Sequence, residues 1–373
     1  MRAVRWNIYF YLSSQIMSEY KVIGLMSGTS TDGADIAFCR FTHDQHGWKH
    51  EILAATTSDY PEEWKRKLLS VYDGSATDLS ALHAGFGKYL GQLVKQFKED
   101  NAIDSVDFVA SHGHTIFHRP GSGFTLQIGE GAALSAACAE HVVCDFRSAD
   151  VAHGGQGAPL VPAGDRHLFA KYEYCLNLGG IANISFEEGG KRIAYDVSPC
   201  NLLLNRYASM KGVAYDEGGR LASGGHCNKE LLDALNGVAF YKQAPPKSLG
   251  REDMERIFIP LIEKYRLPAE VVLNTLCENM AMQIGTATAG GKNGSMLVTG
   301  GGAFNDFLVQ RIGNFSKAHV VVPSNETIQF KEALIFAFLG VLRWRGEPNC
   351  LASVTGATTD VCGGAVYLAG KKN

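Results

Sequence analysis

Hydrophobic and polar residues follow two different periods along this chain, and the periods predict its elements. Residues 21–27 and 34–41 are apolar runs on either side of a turn rich in glycine and hydroxyl side chains, which is typical of a β-hairpin. Apolar residues recur at spacings of three and four from Leu79 to Phe97, the pattern of an amphipathic helix. Residues 333–342 are apolar on every side, which predicts a buried helix.

The second half of the chain repeats this order. Strands are predicted at residues 175–178, 181–186 and 193–195, and another at 296–299 runs into three consecutive glycines. A β-rich part that starts with a hairpin and is followed by helices therefore occurs twice. This repetition predicts two related α/β lobes with a cleft between them.

The lobes can be given boundaries from the same pattern. We expect the first lobe to comprise residues 21–150 together with about 348–373, and the second to comprise residues 151–347. Residues 1–20 carry two arginines before an aromatic stretch but no small-residue cleavage site, so no signal peptide is expected. We expect an N-terminal extension there, with Met17 as the natural start.

Composition narrows the classes of function. The hydrophobic fraction of 46% and the charged fraction of 20% are those of a globular protein with a core, which excludes disorder as the main state. A net charge of −3 without a basic stripe gives no support for nucleic acid as a partner. No apolar run reaches the roughly 18 residues of a membrane span. Nine cysteines without a C-x-x-C pair indicate reduced thiols in a cytoplasmic protein.

Glycine is the outlier, with 42 residues gathered in short runs after apolar segments. The turn from Gly24 to Asp35 combines glycines with hydroxyls, which would let backbone N–H groups approach phosphate oxygens closely. Asp32 could hold Mg²⁺ there, directly or through water. The alternative is an ordinary hairpin turn. The run is not a Walker motif, because no G-K-[ST] follows.

Two further glycine turns lie at strand ends. Gly300, Gly301 and Gly302 follow a predicted strand and open a helix that contains Asn305, an arrangement that favours a nucleotide or another anion. The alternative is a tight strand–helix connection, which would usually need one glycine. Gly179 and Gly180 form a third such turn. Three of these turns in one chain favour a ligand.

Two carboxylates are candidates for acid–base chemistry. Asp196 ends a predicted strand, where a general base facing a cleft would lie, or it caps the following turn. Glu332 opens the predicted buried helix. There it would either interact favourably with the helix dipole or assist catalysis.

Histidines raise the question of a metal site. His112 and His114 are predicted to lie on one face of a strand, an arrangement that zinc and iron sites use. Nearby Arg147 would bring a positive charge, which favours contact with a sugar or phosphate instead. Residues 154–162 combine glycines with two prolines, as a substrate-shaping loop or a hinge would.

These segments together resemble the anhydro-N-acetylmuramic acid kinases from about residue 21 to 367. The most specific runs are Gly-Leu-Met-Ser-Gly-Thr-Ser from Gly24 and Gly-Gly-Gln-Gly-Ala-Pro-Leu-Val-Pro from Gly154. Other matching runs are 111–115, 145–152, 176–183, 196–201, 246–252, 300–305 and 332–333.

The resemblance implies an α/β, two-lobed fold of the actin/hexokinase/Hsp70-like (ribonuclease H-like) class, with ATP and Mg²⁺ in the cleft. It implies a cytoplasmic, homodimeric kinase of cell-wall recycling. Such an enzyme opens 1,6-anhydro-N-acetylmuramic acid with water and phosphorylates O6, giving N-acetylmuramic acid 6-phosphate and ADP.

The resemblance also implies roles for particular residues. Asp196 would deprotonate the attacking water, Glu332 would support it, and Asp32 would contact Mg²⁺. The residues implied to hold ATP are Gly28, Thr29, Ser30, Thr31, Asp32, Gly33, Ala34, Asp35, Gly179, Gly180, Gly300, Gly301, Gly302 and Asn305. The residues implied to contact the sugar are Ser111, His112, Gly113, Thr115, Arg147, Asp150, Gln156 and Asn201.

The chain departs from the family's pattern in two places. Ser198 and Cys200 stand where many relatives carry glycines after the aspartate that corresponds to Asp196, and His114 stands where relatives often have glutamine. Two alternatives therefore stay open. One is a nucleotide-dependent binding or regulatory protein on the same fold. The other is a metal-dependent hydrolase that uses His112 and His114.

Overall fold

A computed structural model describes residues 18–28 and 31–370. The predicted start at Met17 and most of the predicted extension lie outside the described residues. The predicted extension is too long at its other end, because the first strand already begins at Ser18.

The described chain contains twelve strands and fourteen α-helices. The strands are β1 (Ser18–Ser27), β2 (Gly33–Asp44), β3 (Gly47–Asp59), β4 (Phe108–Arg119), β5 (Phe124–Ile128), β6 (Val142–Cys144), β7 (Tyr174–Leu178), β8 (Ile181–Glu188), β9 (Lys191–Pro199), β10 (Ser295–Thr299), β11 (His319–Val321) and β12 (Ala365–Tyr367). The α-helices are α1 (Glu62–Ser70), α2 (Ala76–Asp100), α3 (Gly131–Cys138), α4 (Ser148–Ala152), α5 (Val161–Leu168), α6 (Asn201–Ser209), α7 (Arg220–Gly224), α8 (Lys229–Asn236), α9 (Arg251–Asp253), α10 (Ile259–Glu263), α11 (Ala269–Ala287), α12 (Asp306–Phe315), α13 (Asn325–Arg345) and α14 (Ala352–Thr355). None of these helices is both long and apolar enough to cross a bilayer.

The chain divides into two units. One comprises Phe169–Lys331, and the other comprises the described residues before and after that segment. These divisions differ from the predicted boundaries at 150 and 347. Helix α5 belongs to the first unit, and α13 contributes its residues from Glu332 onward to the first unit.

Both units are built on the same strand order. In the first, the order is β12-β6-β4-β1-β2-β3, with β5 paired to β4, and in the second it is β11-β10-β7-β8-β9. Each sheet therefore has three consecutive antiparallel strands, and two parallel strands follow beside the first of them. This is the strand order of the ribonuclease H-like fold, so the predicted fold class is confirmed.

The amphipathic helix predicted from Leu79 to Phe97 is α2. It begins at a capping box in which the Ser75 hydroxyl accepts the N–H of Asp78, and the Asp78 carboxylate accepts the N–H of Ser75. Its apolar side, including Phe86, Leu90 and Val94, is buried against one face of the first sheet. The helix therefore follows from its sequence period and its cap together.

Helix α13 covers the other face of that sheet. Its residues from Ala333 to Leu339 are almost completely buried, as the apolar pattern predicted. A Cβ at Gly24 would overlap the carbonyl oxygen of Ala333, and one at Gly340 would lie 2.8 Å from the Cβ of Ala110. The two glycines therefore let the helix and the sheet approach each other closely.

We predict that Gly24→Ala destabilises the protein. The added methyl group would force α13 away from β1, and overpacking of this kind costs about 1–3 kcal/mol. The midpoint of thermal unfolding measures the loss. Gly121→Ala is the matched control, because a Cβ there meets nothing within 4 Å. An unchanged midpoint for Gly24→Ala would contradict the close packing.

Candidate functional site

The first glycine turn joins β1 to β2, and residues 29 and 30 within it lie outside the described residues. Two of its amides are used inside the turn, since the N–H of Thr31 donates to the carbonyl of Gly28 at 3.3 Å and that of Gly33 to Oδ1 of Asp32 at 2.9 Å. Asp32 is exposed, whereas Ala34 is fully buried in β2. The side chain of Ala34 therefore faces the core, so the prediction that it contacts ATP is wrong for that side chain.

Asp35 lies close to Asp32. Burial raises the pKa of the Asp35 carboxyl, a hydrogen bond from Thr57 opposes this shift, and the charge of Asp32 adds to it. Oδ1 of Asp35 accepts from the Thr57 hydroxyl at 2.6 Å. The turn thus presents one exposed and one half-buried carboxylate whose charges repel each other.

Buried side chains hold the start of this turn. The Tyr60 hydroxyl donates to Oγ of Ser27 at 2.7 Å, and Nδ1 of His114 lies 2.9 Å from the same oxygen. The N–H of Tyr60 also donates to the carbonyl of Asp32 at 2.9 Å, so both ends of the turn are tied to one tyrosine. Neither Tyr60 nor Ser27 was predicted to have a role of its own.

His112 and His114 do not lie on one strand face, so that prediction is wrong. The ring of His112 lies 4.5 Å from that of Phe336 in α13, whereas the ring of His114 lies 6.2 Å from that of Phe86 in α2. The two helices cover opposite faces of the sheet. Gly113 causes the reversal, because its left-handed φ of 70° breaks the alternation of β4 where the β1–β4 register shifts.

The ring of His112 is engaged by protein at both nitrogens. Its Nε2 accepts from Nε and Nη2 of Arg147 at 3.1 and 2.9 Å, and its Nδ1 lies 2.8 Å from the carbonyl oxygen of Gly113. Burial, and then the charge of Arg147, hold the pKa of His112 well below its usual range. The ring is therefore neutral, with its proton on Nδ1 and its other lone pair occupied.

This arrangement does not support the metal-dependent hydrolase. A metal ligand needs a free lone pair, and the guanidinium of Arg147 takes that of His112. Among residues 18–28 and 31–370, no group of three or more His, Cys, Asp or Glu side chains could hold a metal ion.

Asp150 supports the glycine loop from inside instead of bordering a sugar. It is completely buried; Oδ1 accepts from the Thr355 hydroxyl and Oδ2 from the N–H of Gly157, each at 2.7 Å. Nη1 of Arg147 donates to the carbonyl of Gly157 at 2.6 Å. The prediction that the Asp150 side chain contacts the sugar is therefore wrong, because both of its oxygens are already bonded within the protein.

The other residues implied to contact the sugar differ in whether their side chains are available to a ligand. Ser111 is fully buried, and its hydroxyl accepts the N–H of Gly113 at 3.2 Å, so it supports the bulge and does not reach a ligand. Thr115 is half-buried, with its hydroxyl 3.3 Å from Nε2 of Gln127. Gln156 has an exposed side chain, and its N–H donates to the carbonyl of Thr355 at 2.8 Å.

Glu332 does not open a helix. Helix α13 begins at Asn325, so Glu332 lies two turns inside it and the interpretation based on the helix dipole is wrong. The Glu332 side chain is exposed, and its charge opposes the effect of burial, which lowers the pKa of Arg147 to about 10. Arg147 therefore stays positively charged at neutral pH, with Glu332 as a nearby negative charge.

Asp196 in the second unit combines partial burial with an available oxygen. It lies in β9 beside a register shift and before the strand end at Pro199. Its Oδ2 accepts the N–H of Leu249 at 2.8 Å, and among the described residues Oδ1 has no hydrogen-bond partner. Burial raises the pKa of the carboxyl, and the N–H of Leu249 opposes this shift. Asp196 is therefore not a turn cap, and that alternative is wrong.

The Gly179–Gly180 turn is held by the start of α6. The carbonyl of Gly180 accepts the N–H groups of Cys200 and Leu202, and that of Gly179 accepts the N–H of Asn201. The N–H groups of the two glycines donate to no described residue. The amides of this turn thus remain available to an acceptor such as a phosphate oxygen.

Asn201 joins this turn to the triple glycine. Its Nδ2 donates to the carbonyl of Leu178 at 3.0 Å, and a Cβ at Gly302 would lie 3.3 Å from its Oδ1. Gly300 has a φ of 81°, and a Cβ there would lie 2.6 Å from Oδ1 of Asn177. The structure therefore places Asn201 with the glycine turns predicted to bind ATP.

Asn305 is also structural. It is buried, and its Oδ1 accepts the N–H of Leu308 at 2.9 Å as the N-cap of α12. The prediction that the Asn305 side chain contacts the nucleotide is wrong for this reason. The N–H groups of Gly301 and Gly302 donate to no described residue and are the available donors of this loop.

Comparison with known proteins identifies related sequences over nearly the whole chain. The family model described as anhydro-N-acetylmuramic acid kinase matches residues 20–369. A relative of that name from Sulfurovum sp. (strain NBC37-1) is 33% identical over 367 residues, covering 94% of this chain and 100% of the relative. One from Vibrio parahaemolyticus serotype O3:K6 is 34% identical over 365 residues, covering 92% and 97%.

Solved structures are more distant. A ROK family glucokinase from Streptomyces griseus in complex with glucose and AMPPNP is 12% identical, covering 86% of this chain and 98% of that chain, with a TM-score of 0.38. A ligand-bound xylulose kinase from Lactobacillus acidophilus is 11% identical, covering 87% and 90%, with a TM-score of 0.44. At these low scores the two structures decide nothing about the site.

We predict that Thr355→Val weakens the support of the glycine loop. The change removes the hydroxyl that donates to the buried Asp150 carboxylate while keeping the side-chain shape. An unsatisfied buried acceptor costs about 1–3 kcal/mol, so the midpoint of chemical or thermal unfolding should fall. Thr358→Val is the control, since Thr358 is exposed and its hydroxyl bonds no described residue. Equal stability of the two variants would contradict the supporting role.

Proposed function

The chain belongs to the anhydro-N-acetylmuramic acid kinase family, a family of ATP-dependent sugar kinases, and we propose that it opens 1,6-anhydro-N-acetylmuramic acid with water and phosphorylates O6. The observation that carries this proposal is the Asp196 carboxylate. One of its oxygens is fixed by the N–H of Leu249, the other has no partner among the described residues, and burial raises its pKa. These are the properties of a general base for water.

The proposed reaction exchanges bonds at one sugar oxygen. Asp196 accepts a proton from water, and the water oxygen bonds to the anomeric carbon while the bond from that carbon to O6 breaks. O6 takes the γ-phosphoryl group of ATP, and ADP leaves. The product is N-acetylmuramic acid 6-phosphate, as expected of peptidoglycan recycling. Glu332 supports this chemistry as a second acid, with its charge balanced by that of Arg147.

The phosphates of ATP are bound by backbone N–H groups. Available donors lie at Gly179, Gly180, Gly301 and Gly302, where the absence of side chains permits close approach. The turn of residues 28–33 contributes the exposed Asp32 and its hydroxyl residues. Binding to backbone amides suits phosphoryl transfer, in which catalysis depends on positioning and charge stabilisation.

Mg²⁺ fits the donor set of the first turn. Asp32 is exposed and Asp35 is close enough for their charges to interact, so a cation would relieve their repulsion. Mg²⁺ commonly takes one or two protein carboxylates and completes its coordination with phosphates and water. When bound, Mg²⁺ would neutralise charge on the transferred phosphoryl group.

The sugar is contacted by polar groups that buried residues hold in place. Gln156 is presented by the glycine loop that Asp150 and Arg147 hold, and Thr115 lies beyond the bulge at Gly113. Arg147 bonds His112 and Gly157 yet remains charged, so it attracts the lactyl carboxylate or the phosphoryl group. His112 orients Arg147 and is not an acid or base.

The proposal also covers the location of the protein in the cell and its oligomeric state. All nine cysteines are thiols outside any disulfide, and seven of them are buried, which is typical of a cytoplasmic protein. We also propose a homodimer, as in the family that the chain resembles. The comparisons do not favour the regulatory-protein alternative.

We predict that Asp196→Asn abolishes turnover and leaves ATP binding largely unchanged, because the amide cannot accept the proton of water. Mass analysis of the reaction of ATP, Mg²⁺ and the anhydro-sugar measures turnover, and calorimetry measures ATP binding. The wild-type product should gain the mass of water plus a phosphoryl group. Asp233→Asn, at an exposed carboxylate of the same unit, should behave as wild type.

Two results would count against this assignment. Near-normal turnover by Asp196→Asn would remove Asp196 from the role of base. A wild-type product with the phosphoryl group alone would indicate a kinase that does not open the ring.

We predict that Asp32→Asn weakens binding of Mg²⁺ with ATP. Loss of one charged ligand to a divalent ion should raise the Kd for ATP about tenfold when Mg²⁺ is present and have little effect when it is chelated. Calorimetry with and without Mg²⁺ measures both values. Asp104→Asn is the control, because Asp104 is exposed and its side chain bonds no described residue. An equal effect with and without the ion would rule out the metal contact.

A further inference from the structure

The run from Pro246 to Glu252 matches the family but received no role from the sequence. In the structure, part of it lies along β9 beside Asp196. The carbonyl of Lys247 accepts the N–H of Asp196 at 3.1 Å, and the N–H of Leu249 donates to Oδ2 of Asp196 at 2.8 Å. Asp196 therefore makes two hydrogen bonds, one through its backbone and one through its side chain, to a segment about 50 residues later in the chain.

We refer to residues 240–249 as the strap. Its shape is fixed by Lys247, whose ammonium donates to the carbonyl of Phe240 at 3.3 Å and lies over the rings of Phe240 at 4.6 Å and Tyr195 at 5.8 Å. These cation–π contacts are substantial where an ammonium is partly desolvated. Lys247 makes no ion pair with any described residue, so its contacts bind the strap to itself and to β9.

A second attachment lies on the other side of Asp196. The hydroxyl of Tyr241 lies 3.3 Å from Oγ of Ser198 and donates to Oδ1 of Asn279 in α11 at 2.9 Å. Ser198 is completely buried, and Leu249 at the far end of the strap is buried in the core of the second unit. The strap is thus anchored to β9 before and after the carboxylate, and to the core at its end.

We propose that the strap positions Asp196 for catalysis, by fixing Oδ2 and leaving Oδ1 as the oxygen that accepts a proton. This inference rests on the proposed role of Asp196 as the base. Lys247 and the amide of Leu249 are positioning groups in this arrangement, because they act through Asp196 and not on the substrate.

The surroundings of Asp196 make the effect of the strap measurable. Burial raises its pKa and the N–H of Leu249 lowers it, and no charged side chain among the described residues shifts it. The neighbouring titratable groups are Tyr195 on β9 and Lys247 on the strap, and the ammonium of Lys247 faces the aromatic rings. Loss of the Leu249 donor at unchanged burial therefore raises the pKa of Asp196, whereas a strap that loosens and admits water also reduces the effect of burial.

The sign of the pH effect follows. Asp196 works in its ionised form, so the rate falls as pH drops through its pKa. If the N–H of Leu249 is withdrawn, the pKa rises and the acidic limb of the pH profile of kcat moves to higher pH. A ligand role for Lys247 would act differently, because removal of an ammonium that holds a substrate anion raises KM without moving this limb.

The first experiment compares Lys247→Met with Lys242→Met in the full-length enzyme. Methionine keeps an unbranched apolar stem and removes the ammonium, and Lys242 is an exposed lysine of the same segment that bonds no described residue through its side chain. For Lys247→Met we expect kcat to fall about tenfold, KM for the anhydro-sugar to stay within about twofold, and the acidic limb to move away from its wild-type position. Lys242→Met should match wild type.

The second experiment removes only the donor. The α-hydroxy analogue of leucine at position 249 replaces the N–H by an ester oxygen, and we expect the acidic limb to rise by about one pH unit. The same replacement at Ser248 is the control, since its N–H donates to no described residue. This variant tests the inference even if Lys247→Met fails to fold.

The outcomes separate the inference from the proposed function. A higher KM with an unmoved limb in Lys247→Met would make Lys247 a ligand for an anion and overturn the positioning role. A wild-type limb in the ester variant would overturn it as well. If Asp196→Asn is inactive while the ester variant keeps the wild-type limb, the positioning role alone fails. If Asp196→Asn is active, the assignment of the base fails first.

Discussion

Direct contact between the backbones of β1 and α13 is the constraint on which the first unit depends. An apolar helix can lie this close to the middle of a sheet only where side chains are absent, and Gly24 and Gly340 supply that absence. The contact fixes the position of β1, and Ser27 at its end is then held by buried Tyr60 and His114. The first glycine turn therefore starts from a rigid point.

Buried polar groups in this protein mainly support other residues. A carboxylate or guanidinium withdrawn from water must have its hydrogen bonds satisfied, and Asp150 and Arg147 satisfy theirs with Thr355, Gly157 and His112. The side chains of Gln156 and Asp32, by contrast, are exposed. Asp196 combines both conditions, because one of its oxygens is bonded to the N–H of Leu249 and the other has no partner within the part of the chain that the structure describes. A general base benefits from both.

The parts of the fold and site that depend on local pattern could be predicted from the sequence. The period of three and four gave α2 nearly to its ends, and the glycine turns were recognised by composition. The orientation of His112 and His114 could not be predicted, because one left-handed glycine between them reverses the alternation on which the prediction relied. Glu332 was predicted at the start of a helix because the apolar pattern begins beside it. The first turns of α13 are mostly polar, so the pattern did not show that this helix begins at Asn325.

The contact between the strap and Asp196 could not be predicted from the sequence either. Its relation to Asp196 is a contact across about 50 residues, and no periodicity encodes such a contact. The motif at residues 246–252 could be recognised as a family feature, but its role could be assigned only after the hydrogen bonds of Lys247 and Leu249 were known. Local pattern identifies residues that carry chemistry more readily than residues that position them.

The loop after Asp196 shows how far such supports can change without loss of the site. Ser198 and Cys200 replace glycines of many relatives, yet neither adopts a positive φ, so neither requires glycine here. The buried Ser198 hydroxyl has a hydrogen-bond partner in the hydroxyl of Tyr241. Burial raises the pKa of the Cys200 thiol to about 12, so this thiol stays neutral in the core. The N–H of Cys200 still donates to the carbonyl of Gly180. The altered loop therefore preserves the connection between Asp196 and the glycine turn, which removes the sequence feature that favoured a regulatory protein over an enzyme.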